Sequence, residues 1–486
     1  MPSYLHAWEG LLLCAGLSFI LWRRLARSQK LPLPPGPPAH FLLGNLKDFP
    51  KHREWLAYAK IGQDIHSDII SLSALGKTVV VLNSHRAVAD LLDSRAKYAD
   101  RPQIPMINLS YCDVFSVRAS MASTPQSYIH LDMQESVIPK YWPSQEAEAR
   151  RLVARLFAHG DKTLLRDVQH WAAAFLLSGT FGYHLPADTS NDPLLPYMEE
   201  LLDMPSSTGL NGFLGDPFQA LARRARELKK LAGDDPFDKV KAEMANGVAH
   251  SSYVSRMLSN IEQDNEKTNS VADLGNQADY EELIRANAVT LFGVAMQMYP
   301  EVQSRARKEV LSTLDPTTGQ PITAEIVNLP YLKNVLREVM RWLPALPLGI
   351  PHATKEEDEY RGYYIPARSV VVPNLWALSR EESIYPDPET FNPDRFNDTS
   401  LPHETPFGFG RRRCPGMHLA NSNLLIVFAY LLANFKITKA INEDGSTVEP
   451  SVTMRKDLNS RPDLLRCGFM PYNRTALEEL ADKQFT

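Results

Sequence analysis

The chain has 486 residues, of which 44% are hydrophobic and 22% are charged, and its formal net charge is −5 at pH 7. This acidic balance argues against nucleic acid as a partner, because binding a phosphate backbone requires an excess of positive charge. The four cysteines are scattered, with no C-x-x-C pair and no zinc-type spacing, at Cys14, Cys112, Cys414 and Cys467. Such usage fits a reducing compartment, in which a thiol stays available as a metal ligand.

The first predicted element is a membrane anchor in residues 1–30. It contains a mostly apolar stretch of nineteen residues, Tyr4–Trp22, with Leu11–Trp22 as its core. A helix of that length spans about 28 Å, close to the ~30 Å hydrocarbon layer of a bilayer. The positive charges follow the apolar run, at Arg23, Arg24, Arg27 and Lys30. This order favours an uncleaved span, with the following chain in the cytosol, over a cleaved signal peptide. A buried N-terminal helix is the alternative.

A proline-rich hinge is predicted in residues 31–46. It contains the run Leu31-Pro-Leu-Pro-Pro-Gly-Pro-Pro38. Prolines at this density cannot continue a helix, and they favour a stiff extended segment. The chain is long enough for one large domain or about three ordinary ones. We find no internal repeat and no long low-complexity tract, and we expect a single domain in residues 47–486.

Beyond the hinge, apolar residues at helical spacing predict a mainly helical domain. The predicted helices are Trp55–Ile61, Arg86–Asp93, Glu146–Phe157, Lys162–Thr180, Pro217–Leu231, Tyr280–Val310 with a break near Pro300, and Tyr331–Trp342. β-Branched residues and a Gly76-Lys77 turn predict a β-hairpin of Ile69–Leu75 and Lys77–Leu82. Two short strands are predicted at Tyr363–Pro366 and Ser369–Val372. Small sheets at the periphery of a helical domain therefore describe the expected architecture.

The most informative motif is the decapeptide Phe407–Gly416, which reads F-x-x-G-x-R-x-C-x-G. Gly408 and Gly410 let the backbone turn tightly and approach a flat partner closely. Arg412 can bind a carboxylate through both arms of its guanidinium group. The alternative interpretation is an ordinary buried cysteine on an arginine-rich turn.

Cys414 lies where the next helix is predicted to begin. Pro415 and Gly416 open that helix, which runs through about Phe435. The dipole at a helix N-terminus favours a thiolate over a thiol, and a thiolate can ligate iron. The sequence therefore places a potential iron ligand at the end of a tight turn.

The decapeptide resembles the haem-binding loop of the haem-thiolate monooxygenases, the cytochrome P450 family. Glu338-Val-Met-Arg341 resembles the family's E-x-x-R motif, and Asn392-Pro-Asp-Arg-Phe396 resembles the meander motif that follows it. The resemblance covers nearly the whole chain. It implies a mainly α fold, the cytochrome P450 fold, with small peripheral β-sheets behind the N-terminal transmembrane helix.

The resemblance also implies a site. Cys414 would be the thiolate axial ligand of the iron of haem b, and the other haem-binding residues would be Phe407, Gly408, Gly410, Arg412, Gly416 and His352. The buried charged triad of the family would consist of Glu338, Arg341 and Arg395. Such a triad is physically plausible because a buried charge needs partners in good geometry. His352 falls where the family often places a propionate-binding residue, and a surface histidine without that role is the alternative.

As a family member, the protein would use O₂ to insert one oxygen atom into a lipophilic small molecule. Its electrons would come from an NADPH-cytochrome P450 reductase, since the sequence has no convincing flavin or nicotinamide fingerprint. The anchor would place it in the endoplasmic reticulum membrane, with the catalytic domain on the cytosolic side. Tyr299-Pro-Glu-Val-Gln303 and Tyr385-Pro-Asp-Pro-Glu389 look like fungal members, which indicates secondary or xenobiotic metabolism.

Two family features are missing. The first is the acid–alcohol pair of the long central helix, [AG]-G-x-[DE]-T. Thr290 is the candidate for its alcohol, being the one hydroxyl between Glu281 and Tyr299, but no acidic residue closely precedes it. The second is a W-x-x-x-[RK] motif for a haem propionate, expected within Ser116–Asp132, which reads as a poor helix. That spacing occurs elsewhere, at Trp376 and Arg380.

These deficits leave other interpretations open. The chain would be a haem-binding but catalytically impaired product of alternative splicing or of a misassembled gene, or a genuinely divergent enzyme. A haem-thiolate isomerase or dehydratase is a further alternative, because such relatives also lack the acid–alcohol pair. They usually alter the cysteine motif, however, which is intact in this sequence.

Overall fold

The computed structural model describes residues 31–50, 52–74, 76–102, 133–186, 192–197, 200, 224, 227, 230–231, 235–264, 288–450 and 466–485. The predicted membrane anchor lies outside these residues, as do Ser116–Asp132 and most of the predicted helix Pro217–Leu231.

Helices dominate the described chain. In chain order they are α1 (Glu54–Asp64), α2 (His85–Val88), α3 (Trp142–His159), α4 (Leu164–Phe181), α5 (Asp235–Ala245), α6 (Tyr253–Asp264), α7 (Ala288–Met298), α8 (Pro300–Val310), α9 (Thr323–Ile326), α10 (Pro330–Trp342), α11 (Leu375–Leu378), α12 (Met417–Asn434) and α13 (Arg474–Phe485). The predicted helices that fall on described residues are confirmed, and their ends shift by a few residues.

Two of the predicted helices are not continuous α-helices. The predicted helix Arg86–Asp93 is α-helical only at its start, and Ala89–Asp93 forms a π-helical turn. The predicted break near Pro300 is confirmed, because α7 ends at Met298 and α8 begins at Pro300. Proline has no N–H to donate to the preceding turn, so it starts a helix better than it continues one.

The strands form three small sheets. They are β1 (Ile69–Ala74), β2 (Lys77–Leu82), β3 (His352–Ala353), β4 (Asp358–Tyr360), β5 (Tyr363–Ile365), β6 (Val370–Pro373), β7 (Phe435–Lys439) and β8 (Cys467–Pro471). The largest sheet has the order β1-β2-β6-β3, with β6 parallel to β2 and the other neighbours antiparallel. The predicted hairpin and both predicted short strands are confirmed. β5 pairs with β4, however, while β6 joins the hairpin.

The core is built around α12. It packs against α3, α8 and α10, and Phe428 on α12 stacks on Phe292 of α7 with ring centroids 3.9 Å apart. Among the described helices, α12 has the length and the apolar composition to cross a membrane, but 83% of it is buried inside the molecule. A helix that is apolar on all faces and covered by other helices is a core helix. Cys414 therefore lies directly before a buried core helix of the domain.

Candidate active site

Cys414 lies in a closed backbone turn directly before α12. Gly408 and Gly410 have φ angles of +82° and +54°, which residues with a Cβ rarely adopt. They fold the chain so that the N–H of Cys414 donates to the carbonyl of Phe407 over 2.8 Å. The thiol is partly buried, and α12 begins three residues later. The turn Phe407–Gly416, called the Cys loop below, is thus fixed at both ends.

Arg412 is held by a segment distant in the sequence. Its Nε–H donates to the carbonyl of Ala99 over 2.7 Å. Burial lowers the pKa of the guanidinium group, while the nearby Asp100 carboxylate raises it. This hydrogen bond fixes the position of the Arg412 guanidinium group through its Nε atom.

His352 is buried, with only 3% of its surface exposed, so the alternative of a surface histidine is wrong. Its Nδ1–H donates to the carbonyl of Tyr98 over 2.9 Å. Burial, together with the nearby charges of Arg101 and Arg412, lowers the pKa of the imidazole to about 3, while the hydrogen bond to Tyr98 acts in the opposite direction. The ring is therefore neutral at pH 7, and its Nε2 atom carries the lone pair.

Arg101 is a residue that the sequence pattern did not single out. Its Nη1 donates to the carbonyls of Ile350 over 3.0 Å and Pro351 over 2.8 Å. An isolated β-bridge between Asp100 and Ala353 brings it beside β3. No local motif marks this arginine, because its position depends on a contact between segments about 250 residues apart. Arg101 and Arg412 are partly buried and lie near the buried, neutral His352, so this place carries two positive charges.

Glu338, Arg341 and Arg395 are in direct contact. Arg341 donates to both carboxylate oxygens of Glu338, over 2.6 and 2.9 Å, and Arg395 donates from Nε over 3.1 Å. The backbone N–H of Asn392 adds a fourth hydrogen bond to the same carboxylate, over 2.8 Å. The side chain of Glu338 is fully buried. A buried carboxylate is stable only with such partners, and this one ties α10 to the meander at residues 392–396.

Thr290 lies on α7 and is 2% exposed. Its hydroxyl oxygen has no hydrogen-bond partner among the residues that the structure describes. Ala288 and Leu291, on the same helix, line a narrow apolar cavity together with Leu343–Leu346 and Pro406, just before the Cys loop. The motif [AG]-G-x-[DE]-T places its acid directly before the threonine, and that position is Val289, a buried apolar residue of α7.

Trp376 and Arg380, which have the W-x-x-x-[RK] spacing, contact each other and the end of α10. The Arg380 guanidinium lies 3.2 Å from the centre of the Trp376 ring, and its Nε–H donates to Glu389 over 2.7 Å. Another guanidinium arm donates to the carbonyl of Trp342. The pair therefore closes the end of α10 and does not replace the missing propionate motif.

The described residues fit a haem group. A Cβ added at Gly408 would meet nothing closer than the carbonyl oxygen of Arg412 at 3.9 Å, so this side of the Cys loop is open to a flat partner. The partly buried Arg101 and Arg412 bring two positive charges close to His352, and haem carries two carboxylates that guanidinium groups can bind. The thiol of Cys414 is a soft ligand suited to iron. The open space at Gly408, the two positive charges and the thiol of Cys414 all lie on neighbouring segments of the fold.

The chain is similar in sequence to known proteins of one family. The family model "Cytochrome P450" matches residues 286–459. A cytochrome P450 monooxygenase of Armillaria gallica is 34% identical over 94% of this chain and 96% of its own length. The cytochrome P450 monooxygenase claR of Ampulloclitocybe clavipes is 32% identical over 92% of this chain and 88% of its own. The tryptamine 4-monooxygenase of Psilocybe cyanescens is 29% identical over 94% and 96%.

The alignments also show that this chain lacks residues that its relatives have at internal positions. The alignments with the Armillaria and Psilocybe proteins extend over 503 and 496 positions, more than the 486 residues of this chain. Since only 94% of the chain is aligned in each case, the chain must be gapped against both relatives. The two motifs missing from the sequence are consistent with such gaps.

Proposed function

Since the chain belongs to the cytochrome P450 family of monooxygenases, we propose that it binds haem b through Cys414 and inserts one oxygen atom from O₂ into a lipophilic small molecule. The observation that carries this proposal is the Cys loop. It combines a closed turn, a partly buried thiol at the start of the core helix, and an arginine fixed by a distant carbonyl.

Each residue of the site has a distinct task in this proposal. Cys414 ligates the iron, and the Cys loop fixes the direction of its sulfur. Arg412 and Arg101 bind the carboxylates of haem, and His352 lies close to both arginines. When bound, haem supplies the activation of O₂, which a thiolate ligand promotes by favouring cleavage of the O–O bond.

Glu338 holds the scaffold behind this site. Its bonds to Arg341 and Arg395 connect α10 to the meander, and the Cys loop follows the meander in the chain. These three residues do not touch the reacting atoms. Their contribution is to keep the approach to Cys414 in one conformation.

We further propose that an NADPH-cytochrome P450 reductase supplies the electrons and that the protein sits in the endoplasmic reticulum membrane. The absence of a flavin or nicotinamide fingerprint in the sequence supports an external electron source. The apolar segment Tyr4–Trp22 and the basic residues after it support a membrane anchor. Relatives from fungi support a role in fungal secondary or xenobiotic metabolism.

A second candidate is a haem protein with an intact cysteine side and impaired turnover. Two observations favour it. The chain is gapped against its relatives, and Thr290 has no acidic residue closely before it. Without an acid–alcohol pair, proton delivery to bound O₂ would be slow, and reduced oxygen would leak as hydrogen peroxide. The intact Cys loop argues against the isomerase and dehydratase alternatives.

The experiment that tests the proposal uses the full chain, loaded with haem, in vesicles with a fungal NADPH-cytochrome P450 reductase. A panel of lipophilic probe substrates is supplied, and NADPH consumed, oxygenated product and hydrogen peroxide are measured together. Product that requires NADPH and disappears in Cys414→Ala would support the monooxygenase. NADPH consumption recovered almost wholly as hydrogen peroxide, with no product, would favour the impaired haem protein.

A further inference from the structure

The Cys loop rests on the end of the irregular helix formed by α2 and the turn Ala89–Asp93. A Cβ added at Gly410 would lie 2.2 Å from the carbonyl oxygen of Leu92 and 3.4 Å from the Cα of Asp93. No side chain fits into such a distance. The backbone of the loop and the backbone of this helical segment are therefore in direct contact at Gly410.

Asp93 adds a polar connection at the same point. Its Oδ1 accepts the N–H of Gly410 over 2.7 Å, and the same oxygen lies 3.8 Å from Nη2 of Arg413. The other arm of Arg413 pairs with Glu404. One carboxylate oxygen thus faces both ends of the 3₁₀ turn that immediately precedes Cys414.

We propose that Asp93 is a positioning residue for the thiolate of Cys414. By holding Gly410 and Arg413, it fixes the turn between them and therefore the direction in which the next residue presents its sulfur. The inference rests on the proposed function, because the direction of the sulfur matters when the sulfur ligates haem iron. It concerns a residue more than 300 positions away from the Cys loop, which the decapeptide motif does not contain.

A purely structural role makes a different prediction. If Asp93 merely stabilised the domain, its loss would lower the unfolding temperature and leave the iron–sulfur bond of the folded molecules unchanged. If it positions the sulfur, its loss weakens the iron–thiolate bond even in molecules that remain folded. The carbon monoxide difference spectrum of the reduced protein distinguishes these roles, because its absorption band reports whether a thiolate is bound to the iron.

The test compares Asp93→Ala and Asp93→Asn in the full chain loaded with haem. We expect the thiolate band of Asp93→Ala to decay at least fivefold faster than that of the wild type. Asp93→Asn keeps an oxygen that accepts the N–H of Gly410, so its decay should be within twofold of the wild type. If the alanine variant does not fold, Asp93→Ser takes its place, because the serine hydroxyl is too short to reach Gly410 in the same way.

The matched control is Asp315, which accepts the N–H of Thr317 over 2.7 Å in a surface turn. Asp315→Ala removes a comparable hydrogen bond far from the Cys loop in sequence, and the thiolate band should decay as in the wild type. Equal decay in Asp93→Ala and the wild type would overturn the inference alone, as would equally fast decay in Asp315→Ala. A wild-type protein that never shows the thiolate band would overturn the proposed function as well.

Discussion

His352 and Arg412 donate hydrogen bonds to adjacent carbonyl groups, those of Tyr98 and Ala99, over 2.9 and 2.7 Å. These two side chains are 60 positions apart in the sequence, and they belong to β3 and to the Cys loop. One short segment therefore sets their relative position. This arrangement means that a disturbance at Tyr98–Ala99 would move both residues that we place near the haem carboxylates.

Replacement of Arg412 should accelerate the loss of haem. Arg412→Ala removes a charged donor, and a hydrogen bond to a charged group contributes about 1.5–3 kcal/mol, equivalent to a roughly 10- to 150-fold faster release. Arg412→Lys should recover only part of this, because a lysine lacks the planar fork. The measurement is the rate of haem transfer to an excess of a haem-free acceptor protein. Arg411→Ala, at an exposed neighbouring position, is the control, and equal rates for the Ala variants would refute the role of Arg412.

The haem-free protein should become less stable as the pH falls, because His352 is buried in its neutral form. Its pKa in the folded state is about 3, well below the ordinary 6.5, because burial disfavours the charged ring. The unfolded chain therefore binds this proton first, and folding stability falls by about 1.4 kcal/mol for each pH unit below 6.5 until the folded pKa is reached. Urea unfolding at pH 7 and pH 4.5 measures the effect.

The variant His352→Asn isolates this contribution from the other groups that titrate in the same range. Its amide can still donate to the carbonyl of Tyr98, but it carries no titrating proton near neutral pH. We expect the stability of the variant to depend less steeply on pH than that of the wild type. Parallel curves for the two proteins would show that His352 is not the source of the dependence.

Loss of the Glu338 carboxylate should be severely destabilising. Glu338→Gln leaves Arg341 and Arg395 buried without their counter-charge, and breaking a buried ion pair in this way costs about 3–5 kcal/mol. Asp64→Asn is the control, because Asp64 pairs with Lys60 at an exposed position and such surface changes stay within about 0.5 kcal/mol. The free energy of unfolding in urea measures both. A loss of similar size in both variants would contradict the assignment of a structural role to Glu338.

Alanine at Gly410 should cost more than alanine at Gly76. Both glycines have positive φ, +54° and +78°, so both substitutions pay about 1–2 kcal/mol for the left-handed conformation. Gly76 has open space around its Cα, whereas a Cβ at Gly410 would press on the carbonyl of Leu92. Overpacking of this kind adds about 1–3 kcal/mol. Thermal unfolding of the two variants gives the comparison, and equal losses would show that the contact at Leu92 relaxes without cost.

Local patterns in the sequence were sufficient for the elements that depend on neighbouring residues. The helix after Cys414 was predicted to run through about Phe435, and α12 ends at Asn434. The E-x-x-R motif lies on α10, where the helical spacing placed it. These successes follow from hydrophobic periodicity and from proline and glycine at element ends, which act within a few residues.

The parts that were not predicted depend on contacts between distant segments. β3 has only two residues, too few for any periodicity, and its place beside β6 comes from the packing of the whole domain. Arg101 and Asp93 carry no motif of their own. Each gains its role from a neighbour brought close by tertiary structure, Pro351 for the first and Gly410 for the second. A sequence motif can identify the proposed iron ligand, but the residues that position this ligand lie elsewhere in the chain.

The most direct measurement of the central claim is the carbon monoxide difference spectrum of the reduced full-length protein and two cysteine variants. Cys414→Ala removes the proposed iron ligand, while Cys467→Ala removes a thiol that is buried against Gly293 and accepts a hydrogen bond from Gln297. We predict the absorption band of a thiolate-bound haem in the wild type and in Cys467→Ala, and its complete absence in Cys414→Ala. A wild-type protein without that band, or a Cys414→Ala variant that keeps it, would contradict the account.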